Sequence, residues 1–421
     1  MTRAIETGAG VRLFRLLMYG LVLASAAAQF ALVPVMPAYA RQFGLSGFQQ
    51  GMVLGATGLA ALAVSVPAGM LSDRFGARWI TLAAGLLMAA ATLAQAVASG
   101  FPALFAARLA FGAGYGMVWT AGLCWLGDLA GGPSAVGGSV ASAGVGGVAG
   151  PAVSGALTEH LGLAVPLLTA AAGFAVITAG LAALRVAPRL VTPRPVTPAP
   201  AAAAAGRRAA GRDRGLIGAA AAVVTAGLST GASALLVPAQ LHAAGASSGQ
   251  IGLDFAVAGI LFAAGSALTA AAGRRVVNVP VIGGGMLALA AALFLGVLST
   301  APLALLVMLC ASTAARSVLW TVSYPLAADA AGRRGVGLGA TVGLLNGIWA
   351  ATAVLGPLGA GLADQHLGAR AAFGLTGTAC AAALAVTTAA AWRSRPSARD
   401  AAGDGPGRDP ATADTVATAV P

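Results

Sequence analysis

The chain contains no lysine: every one of its 24 basic residues is an arginine. A Walker-A loop uses a lysine to contact nucleotide phosphates, so the sequence excludes an ATP-driven pump of the P-loop type. Charged residues make up only 9% of the 421 residues, whereas soluble domains carry about 25%. Hydrophobic residues make up 58%, and the mean hydropathy is +0.87. This composition predicts a protein whose solvent is the lipid bilayer.

Cysteine and histidine are also scarce, which limits the chemistry that the chain can perform. Cys124, Cys310 and Cys380 lie in apolar stretches and form no C-x-x-C pair, so we expect small core residues with no disulfide, metal or cofactor role. No His/Asp/Ser constellation converges at one face, and we therefore expect no enzyme. The net charge of +12 does not indicate nucleic acid, because the arginines lie in short loops and tails rather than along one face.

Apolar runs long enough to cross about 30 Å of hydrocarbon, at about 1.5 Å per residue, recur along the chain. They predict twelve helices near 14–40, 46–71, 79–99, 102–126, 135–158, 163–184, 215–241, 249–272, 277–299, 302–328, 335–363 and 368–391. The first run follows Arg3, Arg12 and Arg15 and imitates a cleavable signal peptide. It continues through Met36, which is too long for a signal sequence, so we interpret it as a retained first helix.

The two halves of the chain repeat each other. Four residues recur at one constant spacing, namely Pro37, Gly44, Gln49 and Gly51 as Pro238, Gly245, Gln250 and Gly252. The repeat predicts a six-helix bundle over 10–184 and a second over 215–392, meeting around a central cavity. The Pro-, Ala- and Arg-rich segment 185–214 reads as an irregular cytoplasmic linker. The polar tail 393–421 is expected to be disordered and cytoplasmic.

A short charged segment separates the second and third predicted helices. Six of its residues fit the pattern G-x-L-x-D-R-x-G-R-R/K: Gly69, Leu71, Asp73, Arg74, Gly76 and Arg78. The segment resembles the cytoplasmic loop between helices 2 and 3 of the major facilitator superfamily, with Ala77 in place of an arginine. The resemblance implies an all-α membrane protein of twelve transmembrane helices in two pseudo-symmetric six-helix bundles. It also implies that Asp128 joins this segment in a charge cluster that latches the inner gate. The alternative is a solvated charged loop.

The fifth predicted helix carries a second pattern, G-x8-G-x3-G-P-x2-G-G. The matching residues are Gly137, Gly146, Gly150, Pro151 and Gly155, and Ser154 replaces the first of the final glycines. On a helix, small residues at these spacings open a groove for a neighbouring backbone. The pattern resembles the helix-5 motif of facilitator drug–proton antiporters. The alternative is ordinary packing of small residues in a chain with 60 glycines.

Several polar side chains lie within predicted helices, namely Gln29, Arg108, Asp254, Arg316 and Asn346. Charge inside a membrane is expensive unless it faces a partner or water. We therefore expect Arg108 and Arg316 to face the cavity, although Arg108 could instead snorkel to the interface. Asp254 is the candidate proton-titrating group, with the two arginines as counter-charges. For Gln29 and Asn346, substrate contact and inter-helix hydrogen bonding remain equal alternatives.

Together these features predict a secondary transporter in the plasma membrane. We expect proton-coupled efflux of small amphipathic or hydrophobic compounds by rocker-switch alternating access. The expected partners are the lipid bilayer, a small-molecule substrate and protons, and the expected functional unit is a monomer. The alternative is uptake or facilitated transport of a small metabolite, because the first helix contains no acid. A remote alternative is a non-transporting receptor or scaffold.

The distribution of arginine predicts the orientation. Cytoplasmic loops carry an excess of Lys and Arg, and one set of loops holds Arg74, Arg78, Arg185, Arg189, Arg194, Arg207, Arg208, Arg212, Arg214, Arg274, Arg275, Arg333 and Arg334. The opposite set holds Arg41 and Arg370. Both termini and the linker should therefore be cytoplasmic. Reporter fusions at residue 200 and at the C-terminus should both report a cytoplasmic location, and an external signal from either would reverse this orientation.

Overall fold

The computed structural model describes residues 8–129, 133–184, 213–333 and 338–393. Within these ranges, 12 helices are long and apolar enough to cross a membrane, which confirms the predicted fold class. They are α1 (Gly8–Ala31), α2 (Gly47–Phe75), α3 (Ala77–Ala96), α4 (Phe101–Leu129), α5 (Pro133–Leu161), α6 (Val165–Ala183), α7 (Arg214–Ala243), α8 (Ser248–Ala271), α9 (Val279–Leu298), α10 (Pro302–Arg333), α11 (Leu338–Leu367) and α12 (Ala369–Arg393). The predicted linker and tail lie almost wholly outside the described residues.

The first predicted helix, 14–40, is interrupted. The helix α1 ends at Ala31, residues 32–35 form turns, and a short helix Met36–Phe43 follows. Pro34 lies in the break. Proline lacks a backbone N–H and disfavours helical conformation in the residue before it. The prediction of one unbroken helix to residue 40 is therefore wrong, because apolar length alone does not reveal a break at proline.

Each half of the chain forms a bundle with its own apolar core. In the N-terminal bundle, α1–α6, Phe14 packs edge-on against Trp125 with ring centroids 4.7 Å apart, and Phe174 is also fully buried. In the C-terminal bundle, α7–α12, the core includes Met286 and Leu319. Each bundle is thus a packed unit with apolar residues of its own at its centre.

The outside of the molecule is apolar where a bilayer would contact it. Val176 on α6 is 71% exposed, Leu268 on α8 is 74% exposed and Leu298 on α9 is 75% exposed. Water would penalise such side chains, whereas hydrocarbon accepts them. The exposed surface thus agrees with the membrane environment that the composition predicts.

The sequence repeat is also a repeat of geometry. Ser46 caps the start of α2 and Ser247 caps the start of α8, each in a capping box with the glutamine three residues later. Just before these caps, Gly44 and Gly245 adopt φ angles of +64° and +92°, which glycine alone adopts without strain. We call the face that carries Ser46 and Ser247 the distal face. The opposite face, where α1 begins and α12 ends, is the terminal face.

Candidate transport site and gates

The bundles meet along two seams, and the first joins α2 to α11. Gly47 lies against the backbone carbonyl of Gly361, and Gly51 lies against that of Pro357, so that an added Cβ at either glycine would collide with the carbonyl oxygen. Membrane helices approach this closely only where small residues leave the backbone bare. The seam is therefore a contact of backbone on backbone.

The second seam joins α5 to α8 in the same way. Gly155 lies against the carbonyl of Ser248, and Gly252 lies against that of Pro151. Pro151 and Gly155 belong to the helix-5 pattern, so part of that pattern lies in the contact between the bundles. The two seams are counterparts in the repeat, because Pro151 and Gly155 recur 206 residues later as Pro357 and Gly361 of the first seam, and the spacing of the repeat is five residues longer here than at Pro37 and Pro238.

Both seams run along the distal halves of their helices. Among the described glycines, those nearest the terminal face that still contact the other bundle are Gly58 of α2, against Val354, and Gly259 of α8, against Val148. None of the described glycines nearer that face contacts the other bundle, and Met70 of α2 is 68% exposed there. The glycine contacts that join the bundles thus lie toward the distal face.

Arg108 lies inside the N-terminal bundle and is only 1% exposed. Its guanidinium donates to the backbone carbonyls of Ala28, at 3.4 Å, and Gln29, at 2.6 Å, and to Gln29 Oε1 at 3.0 Å. It also lies 4.9 Å from the ring centroid of Phe111. The last carbonyls of a helix have no intrahelical partner and form the negative end of its dipole. In this state Arg108 therefore caps α1 and does not snorkel to an interface.

The two remaining end carbonyls of α1 are also satisfied. The N–H of Val33 donates to the carbonyl of Phe30 at 3.1 Å, and the hydroxyl of Ser154 donates to that of Ala31 at 2.6 Å. Ser154 is the residue that departs from the helix-5 pattern. Its hydroxyl supplies a donor to the broken end of α1 that a glycine at this position lacks.

Two further glycines of the helix-5 pattern pack against α1. Gly146 lies against the carbonyl of Leu23, and Gly150 lies against that of Ala27. Gly137 has no atom within 4 Å of the place where a Cβ would stand. Packing explains Gly146 and Gly150, and it gives no account of Gly137.

The predicted gate residues lie at the terminal face but are not paired. Asp73 and Arg74 are exposed in the last turn of α2, and Asp128 is exposed near the end of α4. None of them forms an ion pair within the described residues. Arg78 instead donates to the carbonyl of Ala182 at the end of α6, at 3.1 Å. A latch that holds the terminal face closed would be open in this state.

The glycines of the gate pattern have different surroundings. Gly76 adopts a φ of +89° between α2 and α3, where a side chain would be strained. At Gly69 a Cβ would stand 3.7 Å from the γ-methyl of Thr120, which is ordinary contact. The turn therefore depends on Gly76 more than on Gly69.

In the C-terminal bundle, ion pairs do form at the terminal face. Arg274, just after α8, pairs with Asp329 of α10 at 2.8 Å, and Arg333 pairs with Asp213 at 3.6 Å. Both arginines are well exposed, and such pairs contribute little to stability. Asp329 is the repeat counterpart of Asp128, so the two halves differ in their terminal-face charge contacts.

Arg316 is 7% exposed and joins α10 to α7. Its guanidinium donates to the hydroxyl of Thr313 and, at 3.5 Å, to that of Ser233. Asp254 is half-buried on α8 and forms no ion pair within the described part of the chain. The structure therefore does not pair Asp254 with Arg108 or Arg316 in this state.

Asn346 is exposed on α11 and accepts a hydrogen bond of 2.8 Å from the hydroxyl of Tyr324 on α10. Trp320 lies beside this pair, with ring centroids 5.5 Å from Tyr324 and 6.1 Å from Trp349. Its repeat counterpart, Trp119, lies in a π-helical turn of α4. Of the two alternatives for Asn346, inter-helix hydrogen bonding is the one seen here, as it is for Gln29.

Two side chains outside every recognised pattern carry hydrogen bonds across the seams. Glu159, at the end of α5, accepts from the hydroxyl of Ser247 at 2.8 Å and from the N–H of Gly249 at 3.0 Å. Gln365, at the end of α11, accepts from the N–H of Phe48 at 3.4 Å. Glu159 and Gln365 hold equivalent positions in the repeat, and this equivalence was the signal in the sequence that could have found them.

Twelve spanning helices in two repeat-related bundles are the architecture of a membrane transporter rather than of an enzyme. The chain belongs to the Major Facilitator Superfamily, whose family model matches residues 18–341 and 219–417. No curated protein sequence matches it significantly.

Solved structures share the fold. A bacterial homolog of the human lysosomal transporter Spinster, in an inward-facing and unoccupied conformation, is similar at 16% identity and a TM-score of 0.75, covering 92% of this chain and 98% of that one. The nucleoside transporter NupG is similar at 12% identity and a TM-score of 0.71, covering 90% of this chain and 98% of that one.

The α1 cap is testable by substitution of Arg108. Arg108→Leu should lower the free energy of unfolding by about 2–4 kcal/mol, because two buried carbonyls lose their donor. Arg108→Lys should lose less, since an ammonium can still reach one carbonyl. Thermal unfolding in detergent measures the effect, with Arg74→Leu as the control at an exposed arginine. An Arg108→Leu protein that unfolds at the wild-type temperature would contradict the cap.

Proposed function

We propose that the protein carries a small molecule across the plasma membrane by alternating access, and that the present state is open to the cytoplasm. The observation that carries this proposal is the pair of seams, whose glycine contacts lie toward the distal face and leave the terminal halves of the same helices without such contacts. The arginine distribution favours a cytoplasmic terminal face. Because the space between the bundles belongs to a single chain, a monomer is sufficient for the cycle. A receptor or scaffold would not need bundles that part.

The transport that we propose first is efflux of small amphipathic or hydrophobic compounds in exchange for protons. The helix-5 pattern supports it, because Gly150 packs on α1 while Gly155 packs on α8. The helix α5 therefore contacts both α1, inside the N-terminal bundle, and α8, across the seam that must open during transport. Asp254 lies two residues beyond Gly252 of that seam. A proton on its half-buried carboxylate would change the charge beside the moving contact.

Transport of a small metabolite is the second candidate, and the buried arginines favour it. Arg108 and Arg316 donate to neutral oxygens and have no carboxylate partner within the described residues. A carboxylate–arginine pair that exchanges its proton during the cycle is therefore not assembled in this state. Asn346 and Tyr324 also offer polar groups that suit a polar solute.

Flux in proteoliposomes separates the two candidates. A dye and drug panel, applied to cells with and without the protein and an uncoupler, first identifies a transported compound. A pH gradient should then drive the wild-type protein to concentrate this compound, and Asp254→Asn should retain only downhill exchange. Asp364→Asn, at another half-buried acid near the distal end of α11, is the matched control and should stay coupled. If Asp254→Asn still concentrates the compound, Asp254 is not the proton carrier. If the pH gradient leaves the flux through the wild-type protein unchanged, transport of a metabolite without proton exchange replaces antiport as the proposed function.

A further inference from the structure

We propose that Glu159 holds the distal face shut and thereby sets how much of the protein is open to the cytoplasm. The proposal rests on the alternating-access function above and assigns a residue to its distal gate. Glu159 would act as a positioning residue, because its hydrogen bonds go to the start of α8.

The contact is well suited to hold a helix end. Gly249 and Ser247 lie at the start of α8, where backbone N–H groups have no intrahelical partner and the helix dipole is positive. The carboxylate of Glu159 accepts from both residues, at 3.0 Å and 2.8 Å. Hydrogen bonds to a charged acceptor are roughly twice as strong as neutral ones. Glu159 forms no ion pair within the described ranges, so no arginine there competes for it.

The other seam shows what the charge adds. At the equivalent position, Gln365 accepts one hydrogen bond, from the N–H of Phe48 at 3.4 Å. Gln365 is a neutral acceptor. It forms only one hydrogen bond, and this bond is longer than either of the two that Glu159 forms. Both seams also contain glycine-on-carbonyl contacts. At this pair of equivalent positions, only the α5–α8 seam holds a charged acceptor, and it forms two hydrogen bonds where the other seam forms one.

Opening the distal face must break these bonds, since Glu159 is on one bundle and its donors are on the other. Glu159→Gln keeps the size of the side chain and removes its charge, so that both seams then have a glutamine at this position. Gln365→Glu is the matched inverse, because it gives the α2–α11 seam the same charged acceptor. The two substitutions should shift the opening equilibrium in opposite directions.

Spin–spin distance measurements on the full chain in liposomes test this. Labels at Ser99 and Thr300, in the distal loops before α4 and α10, report the separation of the bundles in a background without Cys124, Cys310 and Cys380. Glu159→Gln should raise the ratio of distal-open to distal-closed protein by about five- to tenfold, and Gln365→Glu should lower it. A residue that served folding alone would change the yield of protein but not this ratio.

The possible results distinguish the role of Glu159 from the alternating-access function on which that role rests. Wild-type ratios in Glu159→Gln would overturn the role of Glu159, even if the bundles open and close. If Glu159→Gln does not fold, the Gln365→Glu variant tests the proposal instead. A wild-type ratio of distal-open to distal-closed protein in Gln365→Glu would overturn the claim that a charged acceptor strengthens a seam. A single fixed distance in the wild type, with and without a transported compound, would overturn alternating access itself, and the assignment of Glu159 with it.

Discussion

Close approach of bare backbone between the two bundles is the contact on which the rest of this structure depends. Hydrocarbon is as apolar as the helices, so no hydrophobic force draws them together as it would in water. What joins the bundles is the fit of Gly51 against Pro357 in one seam and of Gly252 against Pro151 in the other. Such contacts lie toward one face of the molecule. They involve few side chains, so the proposed separation of the bundles would not repack a core.

The polar groups buried in each bundle satisfy hydrogen bonds within that bundle. Arg108 and Ser154 satisfy the carbonyls where α1 breaks, and Arg316 ties α10 to α7 through Ser233. An uncapped helix end inside a membrane would leave unpaired carbonyls, at a cost of several kcal/mol each. The two buried arginines thus hydrogen-bond within their own bundles, Arg108 to backbone carbonyls and Arg316 to hydroxyls. The contacts between the bundles, by contrast, lie at the helix ends and along the seams.

Much of the architecture is predictable from the sequence, because the length of an apolar run and the repetition of residues can both be read without knowing which helices become neighbours. The twelve spans and the two halves belong to this class. The break after Ala31 was missed because apolar length says nothing about where proline interrupts a helix. The partners of Arg108 and Glu159 could not be predicted, since they depend on which helices become neighbours. Only the repeat pointed to Glu159, through its equivalence with Gln365.

A disulfide across one seam tests most directly whether the seams must open. A Cβ at Gly58 would stand 3.5 Å from that of Ala353 on α11, and disulfides join Cβ atoms about 3.5–4.5 Å apart. Gly58→Cys with Ala353→Cys, without the native cysteines, should therefore form a bond on oxidation. Oxidised protein should lose transport and regain it on reduction, because locked bundles cannot expose the distal face. Undiminished transport by fully oxidised protein would contradict the account.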